Sequence, residues 1–216
     1  IVRDIKETLD LCEGPDGLFT LNSPKTLIIC STLSPSFLND FKNKTPENIK
    51  IIEAPMSGAP MKAKDASLTF MVGSTIDEFN QINPLLSILG DKIHHIGNFG
   101  SGMSVKVLNN FVASCSVLAV RHVLSEAKNL NISSDQLLEI LNCSSGKTWF
   151  SENLNSIDWS KESYDKKNTI GILEKDVNSF LDGLEGMQTT SSEAMKNFQK
   201  ALLKGLKNIP EFPKNN

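Results

Sequence analysis

Apolar residues recur with two different periods along the chain and divide it into two parts. In the first part, four short runs rich in Ile, Val and Leu are closed by Ser, Pro or Gly, a pattern typical of buried strands. The runs are KTLIIC (25–30), IKIIEA (49–54), LTFMV (68–72) and KIHHI (92–96). Helical patterns precede or separate them over 2–12, 34–42 and 77–89. Strands that alternate with helices predict an α/β layer with parallel or mixed pairing.

From residue 101 onward the period is helical, and no strand pattern follows. Apolar residues recur every three or four positions from Val105 to Leu130, which predicts one long helix. Further helices are predicted from the N-cap run SSD (133–135), over 170–184 and over 191–206. The polar stretch 143–168 is predicted as loop. The fold class is therefore α/β followed by all-α, with domains over 1–100 and 101–216.

Composition narrows the class of protein without identifying an activity. Of the 216 residues, 39% are hydrophobic and 22% are charged, and the net charge is −3. These values are ordinary for a globular chain and provide no basic field to attract nucleic acid or an anionic membrane. No apolar run approaches the roughly 20 residues that a membrane-spanning helix needs. We therefore expect neither a nucleic-acid partner nor a membrane partner.

The cysteines and histidines do not predict a metal site. His94 and His95 are neighbours in a predicted strand, so their side chains face opposite sides of the sheet. The cysteines are scattered without a C-x-x-C spacing, at positions 12, 30, 115 and 143. Scattered cysteines of this kind favour a reducing compartment.

Polar groups follow three of the predicted strands where each strand ends. Ser31 and Thr32 follow the first run, 55–58 follows the second, and the glycine segment GNFGSG (97–102) follows the last. Ligands of open α/β sheets bind outside the carboxyl ends of the strands, so these groups are candidates for one site. Ser, Thr and Gly also follow strands because they form turns, and the sequence leaves both interpretations open.

Lys106 and Asn110 interrupt the apolar stripe of the predicted long helix. They are four residues apart and therefore lie on one helix face. A desolvated lysine beside a substrate hydroxyl can act as a general base, and an amide one turn away can hold the hydroxyl or the ammonium. An exposed helix edge explains the pair equally well. The glycines before them do not form the G-x-G-x-x-G dinucleotide fingerprint, because Val105 occupies its third glycine position.

Several segments, in order, resemble one enzyme family. They are STLSP (31–35), EAPMSGAP (53–60), LTFMVG (68–73), GNFGSGMSVKVLNN (97–110), SSGKTW (144–149) and EKDV (174–177). Together they resemble the 3-hydroxyisobutyrate dehydrogenase family of β-hydroxyacid dehydrogenases, which is similar to 6-phosphogluconate dehydrogenase. The resemblance implies a Rossmann-type cofactor-binding domain followed by a helical domain.

The resemblance also implies an activity and two catalytic residues. The activity is an NAD- or NADP-dependent oxidation of a small β-hydroxyacid. Lys106 would match the family's general base for the substrate hydroxyl, which becomes the general acid in reduction. Asn110 would orient the substrate or that lysine. The resemblance further implies a homo-oligomer in the complete family member.

Four binding residues follow from the same resemblance. Ser57 and Gly58 would hold the substrate carboxylate. Thr32 would lie beside the nicotinamide ribose, and Lys175 would close over the cofactor and the substrate. The residue that selects NAD or NADP belongs to a segment that this sequence does not contain, so the choice between the two cofactors stays open.

The sequence departs from the family at its start. The family begins with a strand, a G-x-G-x-x-G turn and a helix, whereas this sequence begins with a helical pattern. We therefore expect an N-terminally incomplete chain that contains the C-terminal part of the Rossmann-type domain. The complete gene product is then an active enzyme, located in the cytoplasm or the mitochondrial matrix. The alternative is a truncated, non-catalytic relative that acts as a binding or interaction protein.

Overall fold

A computed structural model describes residues 1–21, 25–186 and 192–212. In chain order, the elements are α1 (Ile5–Glu13), a 3-10 turn (Leu18–Thr20), β1 (Lys25–Ile29), α2 (Pro35–Lys44), β2 (Ile49–Glu53), β3 (Met56–Ser57), α3 (Ala59–Lys64), β4 (Leu68–Gly73), α4 (Ile76–Leu86), β5 (Gly90–Gly97), α5 (Ser101–Asn129), α6 (Ser134–Cys143), α7 (Trp149–Asn153), α8 (Thr169–Gly186) and α9 (Glu193–Lys207). The described residues after Gly97 contain helices and no strand. The predicted fold class, α/β followed by all-α, is confirmed.

The chain separates into two compact units. The first comprises Ile1–Leu108 and a short segment that begins at Asp182. The second comprises Asn109–Leu181 and the C-terminal stretch that contains α9. The sheet lies in the first unit, and α6, α7 and α9 lie in the second.

The sheet of the first unit is mixed. β1 pairs with β2 in parallel, and β4 pairs with β5 in parallel. β4 runs antiparallel to both β2 and β3. Strands β2 and β3 are separated by two residues only. The stretch 49–57 therefore pairs with β1 through its first half and with β4 through its second half.

The carboxyl ends of four strands meet in one row across this sheet, which we call the strand-end row. Ile29 of β1 is paired with Glu53 of β2, and Glu53 is also paired with Gly73 of β4. Gly73 is paired in turn with Gly97 of β5. The chain leaves the last residue of each of these strands from neighbouring positions.

Both faces of the sheet are covered, which explains why its strands read as continuous apolar runs. Ile51 and Ile52 are successive residues of β2 and point to opposite faces. Ile51 packs in a cluster with Leu38 and Phe41 of α2. Ile52 packs in a second cluster with residues of β4 and α4.

Most helices of the first unit receive their N-terminal cap from the chain just before them. Ser34 accepts a hydrogen bond from the N–H of Phe37 at the start of α2. Thr75 and Glu78 form a reciprocal capping box at the start of α4. The helix α5, by contrast, has no acidic residue in its first turn.

The core of the second unit contains aromatic pairs and one buried cation. Phe111 of α5 stacks on Phe180 of α8, with ring centroids 4.2 Å apart. Arg121 of α5 is fully buried. Its guanidinium donates to the carbonyl oxygens of Ser160 and Glu162 at 2.8 Å each, and also to that of Pro210. Backbone carbonyls therefore accept from both terminal nitrogens of this cation, whereas its Nε has no hydrogen-bond partner.

Two details differ from the sequence prediction. The stretch 143–168 was predicted as loop, yet it contains the short helix α7. Thr148 and Ser151 cap each other at its start, and this local signal is too short for a periodicity argument. Within the described residues, α5 is also long and apolar enough by composition to cross a membrane, contrary to the expectation from apolar runs. Core helices meet the same criterion, and the side chains of Lys106 and Arg121 are buried along α5.

Candidate active site

Glycines carry the chain from the strand-end row into α5. Gly97 and Gly100 adopt φ values of +154° and +97°, which residues other than glycine rarely adopt. A Cβ atom at Gly102 would lie 2.3 Å from the carbonyl oxygen of Met71. The first turn of α5 therefore packs directly against the backbone of β4.

A carboxylate from the sheet occupies the N-terminus of α5. Glu53 is fully buried. Its Oε1 accepts hydrogen bonds from the N–H groups of Gly100 at 2.7 Å and Gly102 at 2.9 Å, and its Oε2 accepts one from Met103 at 2.8 Å. These donors have no partner within the helix, and their positive partial charge attracts an anion.

Burial and hydrogen bonding act on Glu53 in opposite directions. Burial raises the pKa of the Glu53 carboxyl to about 7, because the charged form loses its hydration. The three backbone N–H groups and the more distant Lys42 oppose this rise in pKa. The carboxyl therefore titrates near neutral pH.

Lys106 lies one turn beyond this contact, on α5. Its residue is only 6% exposed, and the neighbouring Ser104 is equally buried. A solvated helix edge would leave the lysine exposed, and lysine is rarely buried to this degree without a specific role or partner. The structure therefore disfavours the exposed-edge explanation. Ser104 donates to the carbonyl oxygen of Gly100 and is occupied within the helix.

Ser57 and Gly58 lie further along the sheet than the other strand ends. Ser57 closes β3 opposite Thr69, four residues beyond the strand-end row, and is half-buried. Gly58 begins α3 with a φ of +145°, and a Cβ there would lie 2.7 Å from Cβ of Lys62. The backbone at this position therefore requires glycine.

Thr32 lies in the short connection between β1 and α2. It is half-buried, whereas its neighbour Ser31 is buried and accepts a hydrogen bond from the N–H of Val2 at 2.8 Å. Ser34 is the N-cap of α2. Turn and cap hydrogen bonds therefore explain Ser31 and Ser34 without a ligand.

In the second unit, Asp176 joins two of the predicted site residues. Asn110 donates from its Nδ2 to Oδ2 of Asp176 at 2.6 Å. Nζ of Lys175 lies 3.1 Å from Oδ1 of Asp176, in an ion pair without hydrogen-bond geometry. Asp176 is 2% exposed, so its contacts with Asn110 and Lys175 are made away from solvent.

Sequence reasoning did not select Glu53 or Asp176. Each stands beside apolar residues that the fold buries, and a carboxylate in such a position needs a partner. For Glu53 a signal was present, because it follows an apolar run and α5 lacks an acidic residue of its own. The identity of either partner was not available, since both contacts are long-range.

The residues present fit one end of a dinucleotide. The described residues before β1 form α1 and a 3-10 turn. Residues 1–21 therefore do not contain the succession of a strand, a glycine turn and a helix that binds a pyrophosphate. The strand-end row, with Thr32 three residues after the end of β1, is the place where open α/β sheets bind ligands. The fit therefore covers the part of a dinucleotide that lies at these strand ends.

The described residues offer no metal site. No group of three or more His, Cys, Asp or Glu side chains among them could hold an ion. Nε2 of His95 lies 2.8 Å from the carbonyl oxygen of Ser74, which accounts for this histidine structurally.

Comparison with protein families assigns both parts of the chain. Residues 1–97 match the NAD binding domain of 6-phosphogluconate dehydrogenase. Residues 100–207 match the family described as NAD-binding of NADP-dependent 3-hydroxyisobutyrate dehydrogenase. The two matches follow each other along the chain, as the sequence resemblance implied.

Known proteins give the same result. A mitochondrial 3-hydroxyisobutyrate dehydrogenase of Drosophila melanogaster is 33% identical over 138 residues, which are 63% of this chain and 43% of that protein. A 2-(hydroxymethyl)glutarate dehydrogenase of Eubacterium barkeri is 32% identical over 141 residues, or 64% of this chain and 47% of that protein. The chain thus matches about half the length of these relatives.

A solved structure confirms the fold. The crystal structure of a 3-hydroxyisobutyrate dehydrogenase from Salmonella typhimurium superimposes with a TM-score of 0.76 at 19% identity, over 93% of this chain and 71% of that one. That fold is a Rossmann-type domain followed by a helical domain. By its two consecutive family matches and this fold, the chain belongs to the 3-hydroxyisobutyrate dehydrogenase family.

Proposed function

We propose that the protein containing this chain oxidises a small β-hydroxyacid with NAD or NADP, and that Lys106 transfers the proton. The observation that carries the proposal is the burial of Lys106 near the start of α5, one turn beyond the hydrogen bond between Met103 and Glu53. The family membership supplies the class of reaction, and the relatives are named as dehydrogenases of hydroxyacids.

The reaction needs one hydride acceptor and one proton acceptor. NAD or NADP, when bound, would supply the acceptor for the hydride that leaves the carbinol carbon. Lys106 in its neutral form takes the proton of the substrate hydroxyl as the C–H bond breaks, so the hydroxyacid becomes an oxoacid. In reduction, the ammonium of Lys106 returns that proton. Burial at 6% exposure excludes most water from this transfer.

Ser57 and Gly58 are the proposed carboxylate subsite. A hydroxyl and a backbone N–H are suitable donors to a carboxylate. The φ of +145° at Gly58 exposes its backbone without a side chain, which lets an acid approach closely. This subsite would fix the distance between the substrate carboxylate and the carbinol carbon, and so favour β-hydroxyacids.

Asn110 and Lys175 are proposed to contact the substrate and the cofactor. Because Nδ2 of Asn110 donates to Asp176, the amide presents Oδ1 as its remaining polar atom. Asn110 would then accept a hydrogen bond from the substrate hydroxyl or from an ammonium. Lys175, 30% exposed, retains a cationic end that suits the anionic substrate or cofactor.

Thr32 is proposed to contact the cofactor at the nicotinamide end, since it lies three residues after Ile29, which belongs to the strand-end row. We also expect a homo-oligomer, which light scattering of the purified protein would measure. The Drosophila relative is a mitochondrial protein, which favours the mitochondrial matrix over the cytoplasm.

The test is turnover by the full-length protein. Formation of NADH or NADPH is followed by absorbance with a panel of β-hydroxyacids, 3-hydroxyisobutyrate included. We expect Lys106→Ala to lower kcat by about 100- to 10,000-fold while the Kd for the reduced cofactor stays within about twofold. Unchanged turnover in this variant would remove Lys106 from its role. Absence of any hydroxyacid-dependent turnover in the wild type would overturn the proposed function.

A non-catalytic binding or interaction protein is the second candidate. It predicts that the 216-residue chain does not bind NADH or NADPH saturably in a fluorescence titration. Micromolar binding by this chain would refute it.

A further inference from the structure

Glu53 is a fully buried acidic residue of the first unit to which the proposed reaction gives no role. It ends β2 and is fully buried, and both of its carboxylate oxygens are occupied by the N–H groups of Gly100, Gly102 and Met103. With both oxygens occupied and no exposed surface, it is not placed to touch a substrate. Any effect on chemistry must act through α5.

The contact between Glu53 and α5 depends on glycines in the sheet and in the helix. A Cβ at Gly73 would lie 1.9 Å from Oε1 of Glu53, so the space for the carboxylate exists only because this position is glycine. A Cβ at Gly102 would meet the Met71 carbonyl oxygen at 2.3 Å. The approach of α5 to the sheet and the room for Glu53 therefore depend on the absence of two side chains.

A local cap would have been sufficient to stabilise α5 alone. Glu78 forms such a local cap on α4, because its carboxylate accepts a hydrogen bond from the N–H of Thr75, three residues before it. At α5 the nearby Ser101 instead donates to the carbonyl oxygen of Asn98. The acceptor comes from a strand 47 residues away, which makes the position of the helix start depend on the sheet.

We infer that Glu53 is a positioning residue that fixes Lys106 relative to the sheet through the first turn of α5. The inference rests on the proposed function, in which Lys106 transfers the proton. Lys106 follows Met103, the last residue held by Glu53, by three positions, or about one turn. A proton transfer needs heavy atoms about 2.6–3.2 Å apart, and a misplacement of about 1 Å can cost about 100-fold in rate.

The test compares two carboxylates that cap two different helices. In the full-length protein, we expect Glu53→Gln to lower kcat about 10- to 100-fold, because the amide nitrogen repels one of the three N–H groups and the helix start moves. KM and the Kd for the reduced cofactor stay within about threefold. Glu78→Gln is the same substitution at the start of α4, where the amide oxygen can still accept from the Thr75 N–H. Because α4 carries none of the proposed site residues, this control is expected to leave kcat within twofold.

A purely structural role gives a different result. If Glu53→Gln lowers the melting temperature but leaves kcat within twofold at a temperature where the variant is folded, the inference is overturned. If Glu53→Gln does not fold, Glu53→Asp takes its place. It keeps the charge but shortens the side chain by one methylene, and we expect a kcat between those of the wild type and Lys106→Ala. Wild-type kcat in Glu53→Asp, with a lowered melting temperature, contradicts the inference.

The result also distinguishes this inference from the proposed function. An active wild type with an unaffected Glu53→Gln variant overturns the positioning role alone. A wild type without hydroxyacid-dependent turnover overturns both. Amide hydrogen exchange gives an independent readout, since the positioning role requires faster exchange over 100–106 in Glu53→Gln than in Glu78→Gln.

Discussion

Asn110 and Asp176 are 66 positions apart in sequence, and Nδ2 of Asn110 donates to Oδ2 of Asp176 at 2.6 Å. The pair fixes which end of the amide is available, because a carboxylate accepts only from the nitrogen. Asn109 donates from its own amide to Oδ1 of Asn110 at 3.2 Å, consistent with the same orientation. The buried Asp176 carboxylate thus orients the Asn110 amide. The sequence identified Asn110 but not Asp176.

Asp176→Asn tests this orientation. The variant keeps the shape but lets either end of the Asn110 amide face it, so we expect a kcat about tenfold lower and a loss of about 1–2 kcal/mol in the free energy of unfolding. Steady-state kinetics and urea unfolding measure the two effects. Asp182→Asn is the same substitution on the same helix, at the residue that accepts from the Ser36 hydroxyl, and should leave kcat within twofold. Equal kinetic effects in both variants would contradict a specific role for Asp176.

Glu53 predicts a pH dependence of stability. Burial raises its pKa from 4.5 to about 7, so the folded chain binds this proton more tightly than the unfolded chain. The contribution of Glu53 to the free energy of unfolding should therefore be highest below pH 4.5. It should fall as the pH rises to about 7. The full difference is about 3 kcal/mol. Denaturant unfolding at pH 5 and pH 8 measures most of it. The difference between these pH values should shrink in Glu53→Gln, and an unchanged difference would show that another group causes it.

Arg121 predicts a large effect on stability. Its buried guanidinium donates to three backbone carbonyls, and Arg121→Met leaves these carbonyls without a donor. We expect a loss of about 3 kcal/mol or more in the free energy of unfolding, since each buried unsatisfied group costs about 1–3 kcal/mol. Lys128→Met, at an exposed position of the same helix, should change it by less than about 0.5 kcal/mol. Similar losses in the two variants would mean that the carbonyls find other donors.

Gly102 predicts a steric effect at the start of α5. Gly102→Ala places a Cβ 2.3 Å from the Met71 carbonyl oxygen, and backbone atoms must move to relieve the contact. Although alanine favours helices, we expect a loss of about 2 kcal/mol or more in the free energy of unfolding, as in other overpacked sites. Ser101→Ala, next to it and partly exposed, is the matched control with an expected change below about 1 kcal/mol. Thermal unfolding of both variants tests the prediction, and a stabilised Gly102→Ala would contradict it.

Local patterns predicted most of the elements because their causes are local. Hydrophobic patterns alone identified the apolar runs of β1, β2, β4 and β5 and the helical period of α5. The short elements β3, α3 and α7 were missed, since two to six residues give no period to recognise. The spacing of the glycines before α5 distinguished them from the dinucleotide fingerprint, and the structure shows that Gly97 and Gly100 adopt positive φ values.

The candidate site was predicted in part. Lys106 and Asn110 were selected because they interrupt an apolar stripe, and the burial of Lys106 supports that choice. Their proposed roles, with those of Thr32, Ser57, Gly58 and Lys175, remain predictions for the experiments above. Glu53 and Asp176 were not selected, since one carboxylate in a sequence resembles any other until its surroundings are known.

The sequence by itself determined the order and type of the main elements, the family, and the spacing of Lys106 and Asn110 on α5. These features follow from hydrophobic period, turn chemistry and motif order, which act over a few residues. Only the tertiary structure decided the mixed pairing of the sheet, the strand-end row, and the contacts of Glu53 with α5 and of Asp176 with Asn110. Each of these joins residues that are distant in sequence, and their pairing depends on how whole elements pack to bury apolar surface.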